Sequence, residues 1–417
     1  MKPVVTLLVV ALGATGIASA IALRQDVSVT INGRLHDESR HPGPDSARVD
    51  LYFTALRNAD PMLCEMMGDQ LGNFWTSYGA YGVGLLADAS RSWEKARDSL
   101  YSPATDPAAL RRMTRGLDDQ NACVRRSAAK LLGRSHDRGL SAIREGLRNP
   151  SARVREAAAL AAGHAEVEQL EDDLTRATRD QNGVVVAMAA WALGQLERPQ
   201  AIGRLGELTR SADVRVRRAA AHGLGQIEDA RSVGALVPLL RDSDEGVRVL
   251  TASALGDIES TAALEPLLEA LRDQAASVRE AAAAALGDIE DPRAAAALGR
   301  AVEDGHPRVR RAAASALGDL DELEEAPPEL IRALAGSDAG LRKAAAEALS
   351  NIPDPRAIDA LGRALGDADR ETRMAVVHAL GHIDDPRVTP HLIRALKDAD
   401  PEVRKSAAEA LGERKDR

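Results

Sequence analysis

Apolar and small side chains recur at helical spacing along most of the chain, and the pattern returns about every 31 residues. In one clear copy, the residues that share a helix face are Val278, Ala282, Ala285 and Leu286. A Val-Arg pair, or a degenerate form of it, opens this helix in ten copies. The first residues of these pairs are Val124, Val154, Val185, Val216, Val247, Val278, Val309, Leu341, Thr372 and Val403. So constant a period predicts one structural unit that is stacked many times.

Each copy is predicted to contain two helices. An Asp, Asn or Ser usually stands three residues before the Val position, where its side chain can cap the second helix. Gly287, nine residues after Val278, is expected to end that helix as a left-handed cap. Asp291 and Pro292 are typical of the start of the next helix. We therefore predict an all-α fold, a right-handed α-solenoid of about ten helix-turn-helix repeats over residues 106–417.

The signature VRxxAAxALGxIxDPRAxxxLxxAL resembles the HEAT-like repeats of the phycobilisome-lyase type, which are short bacterial relatives of HEAT and armadillo repeats. The resemblance covers residues 106–417. It implies that the second helix of each unit lines a concave surface. One enzyme among such relatives, deoxyhypusine hydroxylase, holds its di-iron centre with His-Glu dyads, and none of the nine His residues here precedes a Glu. Phycobilin lyases, the other enzymatic relatives, act on intracellular substrates.

The first residues have the character of a secretory signal peptide. Lys2 precedes an uncharged, largely apolar run that ends in the small residues Ala18, Ser19 and Ala20. We expect cleavage after Ala20 and export to the periplasm or the extracellular space. The alternative is an uncleaved membrane anchor, because residues 3–23 are about long enough to span a bilayer. Residues 21–47 are polar and turn-rich, which indicates a linker.

Residues 48–105 are predicted to be a divergent, aromatic-rich helical module. Eight of the nine aromatic residues of the chain lie between Tyr52 and Tyr101. One interpretation is that the module caps the solenoid and covers apolar surface at its end. The other is a recognition surface, with Trp75, Tyr78 and Tyr81 as candidates.

The two cysteines, Cys64 and Cys123, stand at similar positions of second-type helices. If a complete repeat separates those helices, the sulfur atoms lie too far apart to bond. If residues 73–105 loop out, the helices become neighbours and a disulfide can form. We favour the disulfide because export places the thiols in an oxidising compartment.

Charge and motifs narrow the function further. The net charge of −9 disfavours a nucleic-acid partner, which would need a clustered positive surface. The motifs of common catalytic and metal sites are missing, so we predict no catalytic residue, no cofactor and no metal.

Acidic pairs such as Asp242 and Asp244 suggest calcium, but a calcium site needs six to eight converging oxygens. We expect instead that one Asp caps a helix while the other pairs with the Arg after Val, forming an Arg–Asp ladder.

The second and sixth residues after each Val are expected to face outward on the concave surface. In the middle of the array these positions hold Leu160, Trp191, Arg218, His222 and Val249. Because Trp and Arg are frequent interface anchors, we predict that a protein or peptide binds there and that the protein is a non-catalytic scaffold. The alternative for Trp191 is core packing beside Ala187 and Ala190. The alternative functions are an accessory subunit or activator of an envelope enzyme, or a lyase-like enzyme.

Overall fold

The computed structural model describes residues 43–57, 103–320 and 323–415. Within these ranges the chain forms 21 α-helices and no β-strand, which confirms the all-α prediction. The chain divides into two compact units, Met1–Val185 and Val186–Arg417. No helix in the described ranges is long and apolar enough to cross a membrane. The predicted signal peptide, and most of the linker and of the aromatic-rich module, lie outside these ranges.

The described part of the first unit consists of one leading helix followed by helices in pairs. We call the first helix of each pair the A helix and the second the B helix. The bounds are α1 (Ser46–Arg57), α2 (Pro107–Gly116), α3 (Ala122–Gly133), α4 (Leu140–Leu147), α5 (Ala152–Ala165) and α6 (Glu171–Ala177). The next B helix, α7 (Gly183–Gln195), begins in the first unit and continues into the second.

The second unit continues the same alternation of short A helices and longer B helices. Its helices are α8 (Ile202–Leu208), α9 (Val214–Gln226), α10 (Val233–Leu236), α11 (Glu245–Asp257), α12 (Leu264–Ala270), α13 (Ala276–Asp288), α14 (Ala295–Ala301), α15 (Pro307–Asp319), α16 (Pro328–Ala333), α17 (Ala339–Asn351), α18 (Ile358–Ala364), α19 (Arg370–His382), α20 (Thr389–Ala395) and α21 (Pro401–Lys415). From α2 to α21 the described residues form ten pairs, as the ten sequence copies predict. The α-solenoid fold class is therefore confirmed.

The recurring glycine does not cap the B helix, so that prediction is wrong. Helix α13 continues through Gly287 to Asp288, and the left-handed residue is Glu290, with φ of 59°. The glycine is needed for close packing instead. A Cβ atom on Gly287 would lie 3.0 Å from Cα of Ala316 in the next B helix, and one on Gly256 would lie 2.9 Å from Cα of Ala285. Glycine thus lets successive B-helix backbones approach each other.

An Arg–Asp ladder links consecutive pairs, as predicted. Arg217 donates through Nε (2.7 Å) and Nη2 (2.9 Å) to the carboxylate of Asp242 in the next pair. Its Nη1 donates to the backbone carbonyl of Ser211 in its own turn (2.9 Å). The Asp242 carboxylate also accepts the N–H of Asp244, whose side chain caps α11. The rung therefore joins two pairs and fixes the start of the next B helix.

The same contact recurs between residues 25 positions apart. The rungs are Arg155–Asp180, Arg217–Asp242, Arg248–Asp273, Arg279–Asp304, Arg342–Asp367 and Arg373–Asp398. Two places in the second unit depart from this spacing. At one junction Val186 stands in place of the Arg and Ser211 stands in place of its Asp, so both partners of the rung are replaced together. Arg310 reaches Asp338 (3.3 Å), the residue that caps α17, because Gly336 stands two residues before that cap, where the other junctions have the rung Asp.

Helix α1 covers the first pair and supplies a rung of the same kind. Arg57 donates through Nε (2.9 Å) and Nη2 (2.7 Å) to Asp119, in the turn between α2 and α3. The Tyr52 hydroxyl lies 3.4 Å from the Ser127 hydroxyl on α3. Helix α1 thus packs directly on α2 and α3. Cys123 is not a free thiol, but Cys64 lies outside the described residues, so the Cys64–Cys123 bond stays a prediction.

We predict that Gly256→Ala destabilises the protein by about 1–3 kcal/mol, because the new methyl group overpacks the contact with Ala285. The matched control is Gly412→Ala. Gly412 holds the same position on α21, and a Cβ there would meet nothing within 4 Å. This control should be neutral or more stable by up to about 1 kcal/mol, since Ala favours a helix over Gly. Urea unfolding followed by circular dichroism measures both, and equal effects would contradict the packing role.

The ladder should also be visible in the pH dependence of stability. The hydrogen bond from Arg279 lowers the pKa of Asp304, so the folded state keeps this carboxylate charged more strongly than the unfolded chain does. Its contribution is complete above the ordinary Asp pKa and is lost as pH falls below about 4. We expect Asp304→Asn to cost about 1–3 kcal/mol at pH 7 and clearly less near pH 3. Urea titrations at the two pH values test this, and a pH-independent cost would refute it.

Candidate functional site

The central cluster predicted from the sequence is not an exposed patch. Trp191 on α7 is 2% exposed and Val249 on α11 is 4% exposed, so the prediction that they face outward is wrong. Helix α7 has no charged residue along its whole length, and a helix that is apolar on every side is normally buried. Within α7, a Cβ on Gly194 would lie 2.4 Å from Cα of Gly223 on α9, so the backbones of α7 and α9 nearly touch. Trp191 belongs to the core.

The other members of that cluster are half-buried. Arg218 donates through Nε (2.9 Å) and Nη2 (2.8 Å) to Asp244, the capping residue of α11, so its charge stabilises the junction. Burial lowers the pKa of His222 to about 4, which keeps the ring neutral at pH 7. Leu160 lies half-buried on α5 in the first unit. Trp75, Tyr78 and Tyr81 lie outside the described residues.

The B helices expose a different surface from α11 onward. The sixth residue after the Val position is exposed on five consecutive B helices, while the seventh and eighth residues are buried. The exposed residues, which we call the B-helix face, are Ser253, Ala284, Ser315, Glu347 and His378. Three of these five side chains are small. A partner's backbone can therefore approach the helices closely along α11, α13 and α15.

Charged residues lie one helical turn to either side of Ala284 and Ser315. Along α15, Arg311, Ser315 and Asp319 follow one another at four-residue spacing and share a face. Lys343 takes the place of Arg311 on α17, where it pairs with Glu371. Asp288 takes the place of Asp319 on α13. The face is thus flanked by a basic side chain on α15 and α17 and by an acidic one on α13 and α15, whereas Glu280 takes the place of Arg311 on α13. Sequence reasoning missed these flanking charges because it concentrated on the largest side chains.

No group of three or more described His, Cys, Asp or Glu side chains is placed to hold a metal ion. The acidic residues of the turns are engaged in capping and in the ladder.

Comparison with known families agrees with this architecture. The family of HEAT repeats matches residues 140–213, 203–287, 264–350 and 327–412, together about two thirds of the chain. The chain belongs to the HEAT-repeat family. No curated protein matches it.

Solved structures similar to this HEAT-repeat protein include Kap95p in its complex with RanGDP, at 16% identity and a TM-score of 0.52 over 88% of this chain and 58% of that chain. That similarity concerns the fold. An engineered protein aligns at 22% identity and a TM-score of 0.45, covering 73% of this chain and 98% of its own. The complex of CpcE and CpcF of phycocyanin lyase from Nostoc sp. aligns at 22% identity and a TM-score of 0.36, covering 59% of this chain and 94% of that chain.

We predict that Trp191→Ala lowers the free energy of unfolding by about 3–5 kcal/mol, because it leaves a large cavity in the core. The matched control is His378→Ala, at the same repeat position on α19 but exposed, which should change stability by less than about 0.5 kcal/mol. Thermal and urea unfolding measure both. If Trp191→Ala proved as mild as the control, the side chain would have to be accessible after all.

Proposed function

We propose that this HEAT-repeat protein is a non-catalytic scaffold that binds a protein or peptide along the B-helix face of its second unit. The observation that carries the proposal is the uncovered row from Ser253 to His378, which runs across five consecutive B helices. HEAT-repeat proteins typically bind protein partners. The ladder and the glycine contacts hold successive B helices in a fixed spacing, so a partner meets a preformed surface.

The chemistry of the face favours an extended segment. Small side chains at Ser253, Ala284 and Ser315 leave room for the partner's own side chains and backbone. Arg311 and Asp319 place opposite charges on the two sides of Ser315 on α15, which orients a partner that carries both signs of charge. We further propose that residues 1–20 direct export, which would place this partner in the cell envelope or outside the cell.

A pair of matched substitutions tests the location of binding. Ala284→Arg places a long charged side chain on the B-helix face, whereas Ala296→Arg places the same side chain on the exposed surface of the A helix α14. We expect the partners retained from envelope extract by the wild-type protein to be retained by Ala296→Arg and lost, by at least tenfold, from Ala284→Arg. Melting temperatures should match. Undiminished capture by Ala284→Arg would contradict the proposal.

A further inference from the structure

One junction of the second unit keeps the arginine of a ladder rung but lacks its aspartate. Arg310 on α15 donates through Nη1 to the backbone carbonyls of Asp304 (3.0 Å) and Gly305 (3.3 Å), which is how ladder arginines are held in their own turns. Gly336, two residues before the cap of α17, stands where the next pair would supply the carboxylate. The arginine is therefore in place for a rung that the chain does not complete.

The complete rungs show which donors hold a carboxylate at this point. In each of the five rungs of the second unit, the aspartate accepts hydrogen bonds from Nε and Nη2 of the arginine and from the backbone N–H two residues further on. For Asp304 the donors are Arg279, at 2.8 and 2.9 Å, and the N–H of His306, at 2.8 Å. The N–H bond measures 2.8 or 2.9 Å in the other four rungs, which lie at Asp242, Asp273, Asp367 and Asp398.

The same three donors lie beside Gly336. Nη2 of Arg310 reaches the carboxylate of the cap Asp338 at 3.3 Å, and among the described residues no acceptor lies opposite Arg310 Nε or the N–H of Asp338. A Cβ on Gly336 would lie 3.2 Å from the carbonyl oxygen of Ala333, and no other described atom beyond its chain neighbours lies within 4 Å. Both residues that flank Gly336 are exposed, so this space opens to solvent.

We propose that Arg310 and the N–H of Asp338 bind a carboxylate from outside the chain in this space. The junction at Val186 and Ser211, where both partners are replaced, loses its rung without leaving a charge. At Arg310 only the carboxylate is replaced, and a half-buried guanidinium remains. A planar carboxylate matches the fork of Nε and Nη2, as the five complete rungs show.

The capping carboxylate of Asp338 is compatible with a second carboxylate in the site. Asp242 is bound by Arg217 although the capping carboxylate of Asp244 lies two residues away. Two sources share the required chemistry, an Asp or Glu side chain of a bound protein and a small free carboxylate. The site does not include the B-helix face, and its test does not depend on the proposed function.

The test uses the full chain, made with isotopically labelled arginine for nuclear magnetic resonance, and acetate as the probe. The Nε–H signal of Arg310, identified by its loss in Arg310→Ala, should shift saturably as acetate replaces chloride at constant ionic strength. The signal of Arg279, identified in the same way, should shift at least tenfold less, because its Nε already donates to Asp304. A missing shift for Arg310, or an equal shift for Arg279, would overturn the proposal.

Gly336→Asp supplies the carboxylate from within the chain. The acetate response of Arg310 should then fall at least tenfold, and the variant should unfold at a higher urea concentration than the wild type. The matched control Ser211→Asp introduces the same carboxylate opposite Val186, so it should bring no gain in stability. An undiminished response to acetate in Gly336→Asp, or a stability no higher than that of the control, would contradict the assignment of these donors.

Capture from envelope extract distinguishes the two sources once acetate binds. A protein that the wild type retains and that Gly336→Asp loses at least tenfold would supply the carboxylate itself. Equal capture by the two proteins would make the source a small free carboxylate. Ala284→Arg, on the B-helix face, should keep the acetate response of Arg310, so the failure of one proposal leaves the other intact.

Discussion

The bidentate contact between an arginine of one helical pair and an aspartate of the next is the interaction on which the rest of the structure depends. Short A helices and alanine-rich B helices bury little area each, so a single pair has no core of its own. The rung from Arg217 to Asp242 ties two pairs together, and the same carboxylate orders the turn that begins α11. Once the rungs fix successive pairs in this way, glycines such as Gly256 let the B-helix backbones pack closely.

The ladder and the ten pairs could be predicted because both depend on residues that return at a fixed period. The role of the glycine could not, since its position after the last apolar residue also fits a helix end, and only the neighbouring Ala316 shows why Gly287 lacks a side chain. Trp191 was misplaced for a related reason. The second and sixth positions after the Val do not face outward in every repeat: Trp191 is buried within the uncharged helix α7, and Val249 is buried on α11. The absence of charge in that helix was the signal that could have corrected the prediction.

The same framework explains where binding surfaces remain. Residues between successive pairs are engaged in the ladder, in the glycine contacts or in apolar packing. Arg218 bonds Asp244 and Val249 is buried, so both stabilise the stack of helices. Within the described ranges, the B-helix face around Ala284 and Ser315 stays uncovered. This surface is a by-product of a regular scaffold, and its specificity lies in the few residues that vary between repeats.

A double-mutant cycle on Arg248 and Asp273 tests the central claim most directly. Both side chains are largely buried at the junction, and their coupling energy can be compared with that of the exposed pair Arg241–Glu269, which joins the segment after α10 to α12. Urea unfolding should give a coupling of more than about 1 kcal/mol for the ladder rung and less than about 0.5 kcal/mol for the exposed pair. Equal couplings would contradict the claim that the ladder holds the repeats together.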